Sequence, residues 1–223
     1  MQPPTVEARA FKSGGISNDA ILAMVRRTLD ARKITGECLV DVGCGAGKLR
    51  PYVSDRFRRY IGVDAVRYAD FPSEAEFCQL DLDSGQVPLP DGAADVVAAV
   101  EVIEHLENPR DFMRKLVRLA KPGGSILVTT PNQLSLLSVL TLIVKQRFHA
   151  FQDVHYPAHL TALLPIDLKR IAAECGLANI EIEFSLASRI PLTARSFPQS
   201  FCRYFPRMLS ETVLVIGTKA PAQ

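Results

Sequence analysis

The chain has 223 residues, 48% of them apolar, with 26 Lys and Arg against 24 Asp and Glu for a net charge of +2. That suffices for one domain with a full core, and so balanced a charge gives no electrostatic reason to invoke nucleic acid. Five scattered cysteines (Cys38, Cys44, Cys78, Cys175, Cys202) without a C-x-x-C pair predict reduced thiols in a cytoplasmic protein, not a disulfide framework or zinc site.

The opening "MQPPTVEARAFKSGG" lacks the basic-then-apolar pattern of a secretory signal. Ser17 and Asn18 then suit the cap of a helix to about Ala31, with Ile21, Leu22, Val25 and Leu29 at helical spacing. "CLVDV" (38–42) is an apolar run of the buried parallel-strand type. "KLRPYVSDRF" reads as a helix with Pro51 in its first turn. "RYIGVD" (59–64), "AEFCQLD" (75–81) and "ADVVAAV" (94–100) read as strands, the last after the turn "PLPDG".

"NPRDFMRKLVRLA" (108–120) predicts an amphipathic helix stopped by "KPGG", before a strand "SILVTT" (125–130). "LSLLSVLTLIV" from Leu134 is too short to cross a bilayer as a helix. "LPIDLKRIAAECG" (164–176) predicts a helix ended by Gly176, and "NIEIEFS" (179–185) and "ETVLVIGTK" (211–219) close the set as strands. Alternation of this kind predicts one doubly wound, mostly parallel seven-stranded α/β sheet with helices on both faces. A ligand belongs at the carboxyl ends of its strands.

"LVDVGCGAGKLR" (39–50) carries glycines at alternate positions, where a ligand can approach the backbone. It is not a P-loop, because Lys48 is followed by Leu49 and the spacing fails. A nicotinamide fingerprint needs its third glycine where Lys48 stands, and a plain tight turn needs one glycine rather than three. The stretch "DVGCGAG" matches D-x-G-x-G-x-G at every fixed position.

That loop resembles the class I S-adenosylmethionine-dependent methyltransferases, and the later strand ends resemble the same family from Leu39 to Thr130. The resemblance implies a Rossmann-like fold with S-adenosyl-L-methionine held by Asp41, Gly43, Cys44, Gly45 and Gly47. It also implies Asp64 of "GVD" at the ribose hydroxyls, Asp81 of "LDLD" at the adenine amino group and Leu82 beside the ring. One carboxylate facing two neighbouring hydroxyl donors explains the residue type at Asp64.

The cofactor's methyl is already electrophilic, so the protein has to align an acceptor and exclude water, and a hydroxyl acceptor also needs a base or metal. "EVIEH", taken as a helix, puts Glu101, Glu104 and His105 at i, i+3 and i+4 on one face. The segment resembles the metal-binding part of small-RNA 2′-O-methyltransferases and a Glu-x-x-Glu-His segment of ubiquinone-biosynthesis O-methyltransferases. By that resemblance Glu101, Glu104 and His105, completed by His159 of "HYPAHLT", hold a divalent metal (Mg, Mn or Zn). Without a metal, Glu101 borders the cofactor and His105 faces substrate as a catalytic group; the blandest reading makes His105 a helix residue bonded to nearby backbone.

The expectation is therefore a single methyltransferase domain over 1–223, with substrate lids at 134–160 and 186–210. Its acceptor is a small or lipid-linked molecule, methylated on a hydroxyl oxygen, and 134–148 is a lid, a dimer surface or a peripheral membrane contact. The alternative is an RNA 2′-O-methyltransferase, with a nicotinamide oxidoreductase and an inactive cofactor-binding module behind it.

Overall fold

The structure, a computed structural model, describes residues 14–15 and 17–221, so the expectation for the first thirteen residues lies outside it. Helix α1 (Asp19–Ala31) starts where the sequence predicts: the Asn18 side chain accepts the Ile21 N–H. Strand β1 (Gly36–Val42) leads through the glycine loop into a single short turn of helix, α2 (Arg50–Val53). The predicted longer helix fails because Phe57 already starts β2 (Phe57–Asp64) and is buried against the sheet. Then follow β3 (Glu76–Gln79), which ends before Asp81, and β4 (Ala94–Val100).

Helix α3 (Pro109–Leu119) buries Phe112, Met113, Leu116 and Leu119, each worth roughly 1.5–3 kcal/mol of apolar transfer. "KPGG" is not a loop before the next strand: β5 (Ala120–Pro131) includes it, with an irregular register between Ala94 and Val96 of β4. Helix α4 (Leu136–Lys145), α5 (Pro165–Glu174), β6 (Leu177–Phe184), the short α6 (Gln199–Cys202) and β7 (Thr212–Lys219) complete the chain.

The seven strands order as β3-β2-β1-β4-β5-β7-β6, all parallel except β7, which runs antiparallel to β5 and β6. Period-two burial sorts β1 between two cores. Cys38, Val40 and Val42 face the α3 and α5 side, while Leu39 faces α1 and α2. The strand order reverses between β1 and β4, so the chain ends leaving β1, β2 and β4 converge at one crevice. Among the described residues no helix is long and apolar enough to cross a membrane.

Candidate active site

A cavity of about 350 Å³ opens at those carboxyl ends. Its wall includes Asp41, Gly43, Cys44, Asp64, Asp81 and Leu82, six of the eight residues expected at a cofactor, together with Glu101, Glu104, His105 and His159. Gly45 and Gly47 are absent from the wall; they shape the loop behind it. Sequence reasoning missed the other side of the cavity, where Gly15, Ser17, Asn18, Ile21 and Leu22 close it at the start of α1, with Tyr68 nearby. Ser17 and Asn18 were legible only as a helix cap.

The loop is pinned by backbone bonds. Gly43 and Cys44 N–H groups donate to the Val63 carbonyl (2.7 and 3.2 Å), and Gly45 N–H donates to Asp64 Oδ2 (2.8 Å). Positive φ at Gly43, Gly45 and Gly47 (77°, 51° and 70°) makes those turns cheap for glycine alone. Asp64 thus holds the loop as well as facing the cavity, and burial raises its carboxyl above the usual range.

Asp41 is more enclosed. Tyr60 donates its hydroxyl to Asp41 Oδ2, while Oδ1 is buried without a hydrogen-bond partner among the described residues. Burial pushes this acid up to about 7, against the opposing effect of Tyr60. Asp81 is partly a turn residue: its oxygens accept the Asp83 N–H (3.0 Å) and the Ser84 hydroxyl (2.7 Å). At Asp64 we expect replacement by alanine to weaken cofactor binding without unfolding the protein. Each charge-assisted hydrogen bond lost there is worth roughly 1.5–3 kcal/mol. Calorimetric titration giving an affinity within about twofold of wild type would remove Asp64 from the site.

"EVIEH" is not a helix. Glu101 sits in the left-handed region (φ 56°) and only Ile103–His105 form a single 3-10 turn, so helical spacing does not align its acids. Two threonines at the end of β5 intervene. Thr129 Oγ1 accepts the Glu101 N–H and donates to Glu101 Oε1 (both 2.9 Å), and Thr130 Oγ1 donates to Glu104 Oε2 (3.0 Å). These bonds tie the segment to the sheet instead of letting it wind on. Glu104 Oε1 is buried and has no hydrogen-bond partner among the described residues.

His105 Nδ1 lies 2.8 Å from the Ala158 carbonyl and His159 Nδ1 2.6 Å from the Ala150 carbonyl. A carbonyl cannot donate, so both Nδ1 atoms carry a proton, and a neutral ring in this position has its lone pair on Nε2. The rings meet edge to face with centroids 4.7 Å apart. Burial and the neighbouring His105 push His159 down to about 4. One ligand atom from each of Glu104, His105 and His159 lies within 4.8 Å of the others. Three of the four residues expected around a metal are therefore gathered; Glu101 stands outside the group, bonded to Thr129.

Burial pushes Glu104 from 4.5 up to about 8, and burial with the Glu104 charge raises Glu101 in the same direction. A raised acid holds a proton in the folded state that the unfolded chain has released, so its stabilising effect is complete below 4.5 and fades as pH rises towards 8. Glu104→Gln, which mimics the protonated acid, should melt several degrees above the wild type at pH 8 (about 2–4 °C per kcal/mol at this chain length). The gap should close towards pH 4.5 in thermal scans of the ligand-free protein. A gap independent of pH would mean that Glu104 is ionised throughout.

Comparison with known proteins places this site in a context. A family model described as a methyltransferase domain matches residues 18–182. The chain is 34% identical over 108 residues to a probable S-adenosylmethionine-dependent methyltransferase of Mycolicibacterium smegmatis, across 47% of this chain and 42% of that protein. It is 29% identical over 160 residues to a ubiquinone biosynthesis O-methyltransferase of Burkholderia pseudomallei, across 67% and 68% respectively. The chain thus spans less than half the length of the mycobacterial relative. A SAM-dependent methyltransferase from Archaeoglobus fulgidus shares the fold at a TM-score of 0.60 and 20% identity, over 89% of this chain and 94% of that one.

Proposed function

The chain belongs to the class I S-adenosylmethionine-dependent methyltransferases, and from that membership we propose that it methylates a hydroxyl oxygen of a small or lipid-linked acceptor. The cofactor enters this reading as the family's methyl donor, supplying an electrophilic methyl on a sulfonium. Asp64 would hold its ribose, Asp81 and Leu82 its adenine end. Gly43 and Cys44 would leave room for the methionine part, next to the carboxylate of Asp41.

The observation that carries the oxygen acceptor is the pair of imidazoles in the wall of the same cavity. Each is oriented by a backbone carbonyl at Nδ1, which makes Nε2 the unprotonated nitrogen of a neutral ring. An alcohol loses its proton during methylation, and a neutral imidazole beside the acceptor takes it. His159, held neutral by burial, would orient and desolvate, and His105 would act as the base, with Glu101 at the border between cofactor and acceptor.

A second reading has its own observation. Glu104 Oε1 is buried without a hydrogen-bond partner among the described residues, and a carboxylate oxygen of Glu104 belongs to the group formed with His105 and His159. A divalent cation (Mg, Mn or Zn) held by these three residues would lower the acceptor's pKa directly. Both histidines already carry the Nδ1-to-carbonyl bond that orients a metal-bound imidazole. The segments 134–160 and 186–210 are the substrate lids in either reading.

The test is calorimetric titration with S-adenosylmethionine and with NAD, followed by methyl transfer to catechol-type and lipid-linked hydroxyl acceptors and to a small RNA. Binding of S-adenosylmethionine but not NAD is expected. Methylation of amines or RNA alone, with no hydroxyl product from the small acceptors, would reject the oxygen assignment as stated.

A further inference from the structure

We propose that the surface built by α4 and the segment 186–210 docks on an anionic lipid bilayer. Helix α4 is real but hardly buried: Ser138 is its one fully buried residue, while Leu140, Ile143 and Val144 are 41%, 65% and 77% exposed. Their i, i+3, i+4 spacing puts them on one face. Phe201, Tyr204, Phe205 and Met208 repeat the pattern and are also exposed. Of the eleven large apolar side chains exposed among the described residues, ten lie within 134–160 or 186–210. A concentration of this kind in two linked segments marks a surface that meets a partner.

The two segments are one structure. Leu136 N–H donates to the Met208 carbonyl (2.8 Å), and the Asn132 side chain donates to the carbonyls of Arg207 and Ser210 (2.8 Å each). Arg189 meets His149 at 2.7 Å, just beyond the end of α4.

Charge selects the occupant. The two segments carry Lys145, Arg147, Arg189, Arg195, Arg203 and Arg207, all exposed, and a single acid, Asp153. The chain as a whole is nearly balanced, so these two segments are basic against that background. Lys145, Arg195, Arg203 and Arg207 have no ion pair with a described residue, whereas Arg147 pairs with Asp153 and Arg189 with Glu211. A second copy packed on the same face about a twofold axis would set these cations against each other. Nucleic acid would meet the arginines but would leave Leu140, Ile143 and Val144 without use. Aliphatic and aromatic side chains that share two exposed segments with Lys and Arg fit an anionic lipid surface, which takes the first into its acyl boundary and the second at its headgroups.

The surface also reaches the cavity. The turn His149–Phe151, directly after α4, holds His159 through the Ala150 carbonyl and sets the Phe151 ring 5.3 Å from it. Docking would thus bring the bilayer to the acceptor end of the cavity. That the acceptor is drawn from the membrane rests on the methyltransferase reading; the docking does not, and the two are measured separately.

The full chain is sedimented with vesicles of phosphatidylcholine, and with vesicles of equal phosphatidylcholine and phosphatidylglycerol, at low and high salt. We expect binding to the second kind only, weakened by salt. Arg203→Glu with Arg207→Glu, and Ile143→Glu with Val144→Glu, should each lower it by about tenfold or more while leaving S-adenosylmethionine affinity unchanged. Because the chain contains no tryptophan, Val144→Trp gives a second readout, a blue shift in emission on adding the anionic vesicles. Absence of vesicle binding, or an unshifted emission, overturns the proposal. So does binding to small RNA in place of vesicles, or a dimer in light scattering that Ile143→Glu dissociates and that does not bind vesicles. Loss of cofactor binding by the wild type with vesicle binding intact would fail the methyltransferase reading alone.

Discussion

Gly45→Val is expected to abolish S-adenosylmethionine binding while the sheet remains folded. The sequence alone suggests that the new side chain would fill the place of the methionine moiety, but Gly45 does not line the cavity. The Cβ instead points away, 2.1 Å from the Gly15 carbonyl oxygen and 2.7 Å from its carbon. Gly15 is backbone and cannot swing aside like a flexible side chain. It is also fastened to the loop, because Ala46 N–H donates to the same carbonyl (3.0 Å).

The substitution must therefore push apart the glycine loop and the segment opposite, both of which border the cavity. Valine adds the strain of a β-branched residue at φ 51°, where even unbranched side chains cost about 1–2 kcal/mol. The Gly45 N–H bond to Asp64 is lost with the loop's shape. Titration should find an affinity loss of about 100-fold or more, with circular dichroism unchanged. Gly123→Ala is the control, since Gly123 has φ 79° and nothing within 4 Å of an added Cβ. It should bind the cofactor normally. A Gly45→Val protein that folds and binds tightly would disprove the account.

His105→Ala should cut turnover by about 10²–10⁴ and leave cofactor affinity nearly unchanged. The ring lines the cavity through its own turn, and its Nδ1 bond runs to Ala158 rather than to the glycine loop. The two readings of the site separate in one series. If His105 is the base, wild-type activity is insensitive to chelator and the variant is slow with or without added metal. If Glu104, His105 and His159 hold a cation, chelator reproduces the variant's defect in the wild type, and Mg²⁺, Mn²⁺ or Zn²⁺ restores the wild type only. Metal binding would also reverse the pH trend expected for Glu104, because the cation replaces the proton on its carboxylate. Full activity in the variant would leave His105 as a residue that merely ties its turn to Ala158.

The cavity wall that carries Asp41, Asp64, Asp81 and Leu82 was legible in the sequence to a considerable depth. The seven strands, α1, α3 and α5 announce themselves through local periodicity and through Gly, Pro and Asn punctuation. Those signals lie within a few residues of the structure they cause. The glycine loop and the acids at successive strand ends are legible for the same reason: a parallel sheet makes the residue after each strand arrive at one edge. Hence Asp41, Asp64, Asp81 and Leu82 all line one cavity.

The cluster of Glu104, His105 and His159 was only half legible. Glu104, His105 and His159 do meet, but not through the helix that "EVIEH" suggested; hydrogen bonds to Thr130, and to carbonyls at Ala150 and Ala158, bring them together. Likewise, nothing near Gly45 in the chain foretells Gly15 beneath it, nor anything near Asp41 the hydroxyl of Tyr60. The apolar run from Leu134 told of a lid, a dimer surface or a helix at a membrane, and only its exposure on the folded surface, with Asn132 bonded to the Arg207 carbonyl, told which side faces outward. The sequence by itself determined the order of strands and helices and the chemistry offered at the strand ends, because backbone preference and side-chain period act over a few residues. The tertiary structure decided which buried acid is bonded, which is left unpaired and which face lacks a partner, because these depend on groups up to a hundred residues apart that only packing makes neighbours.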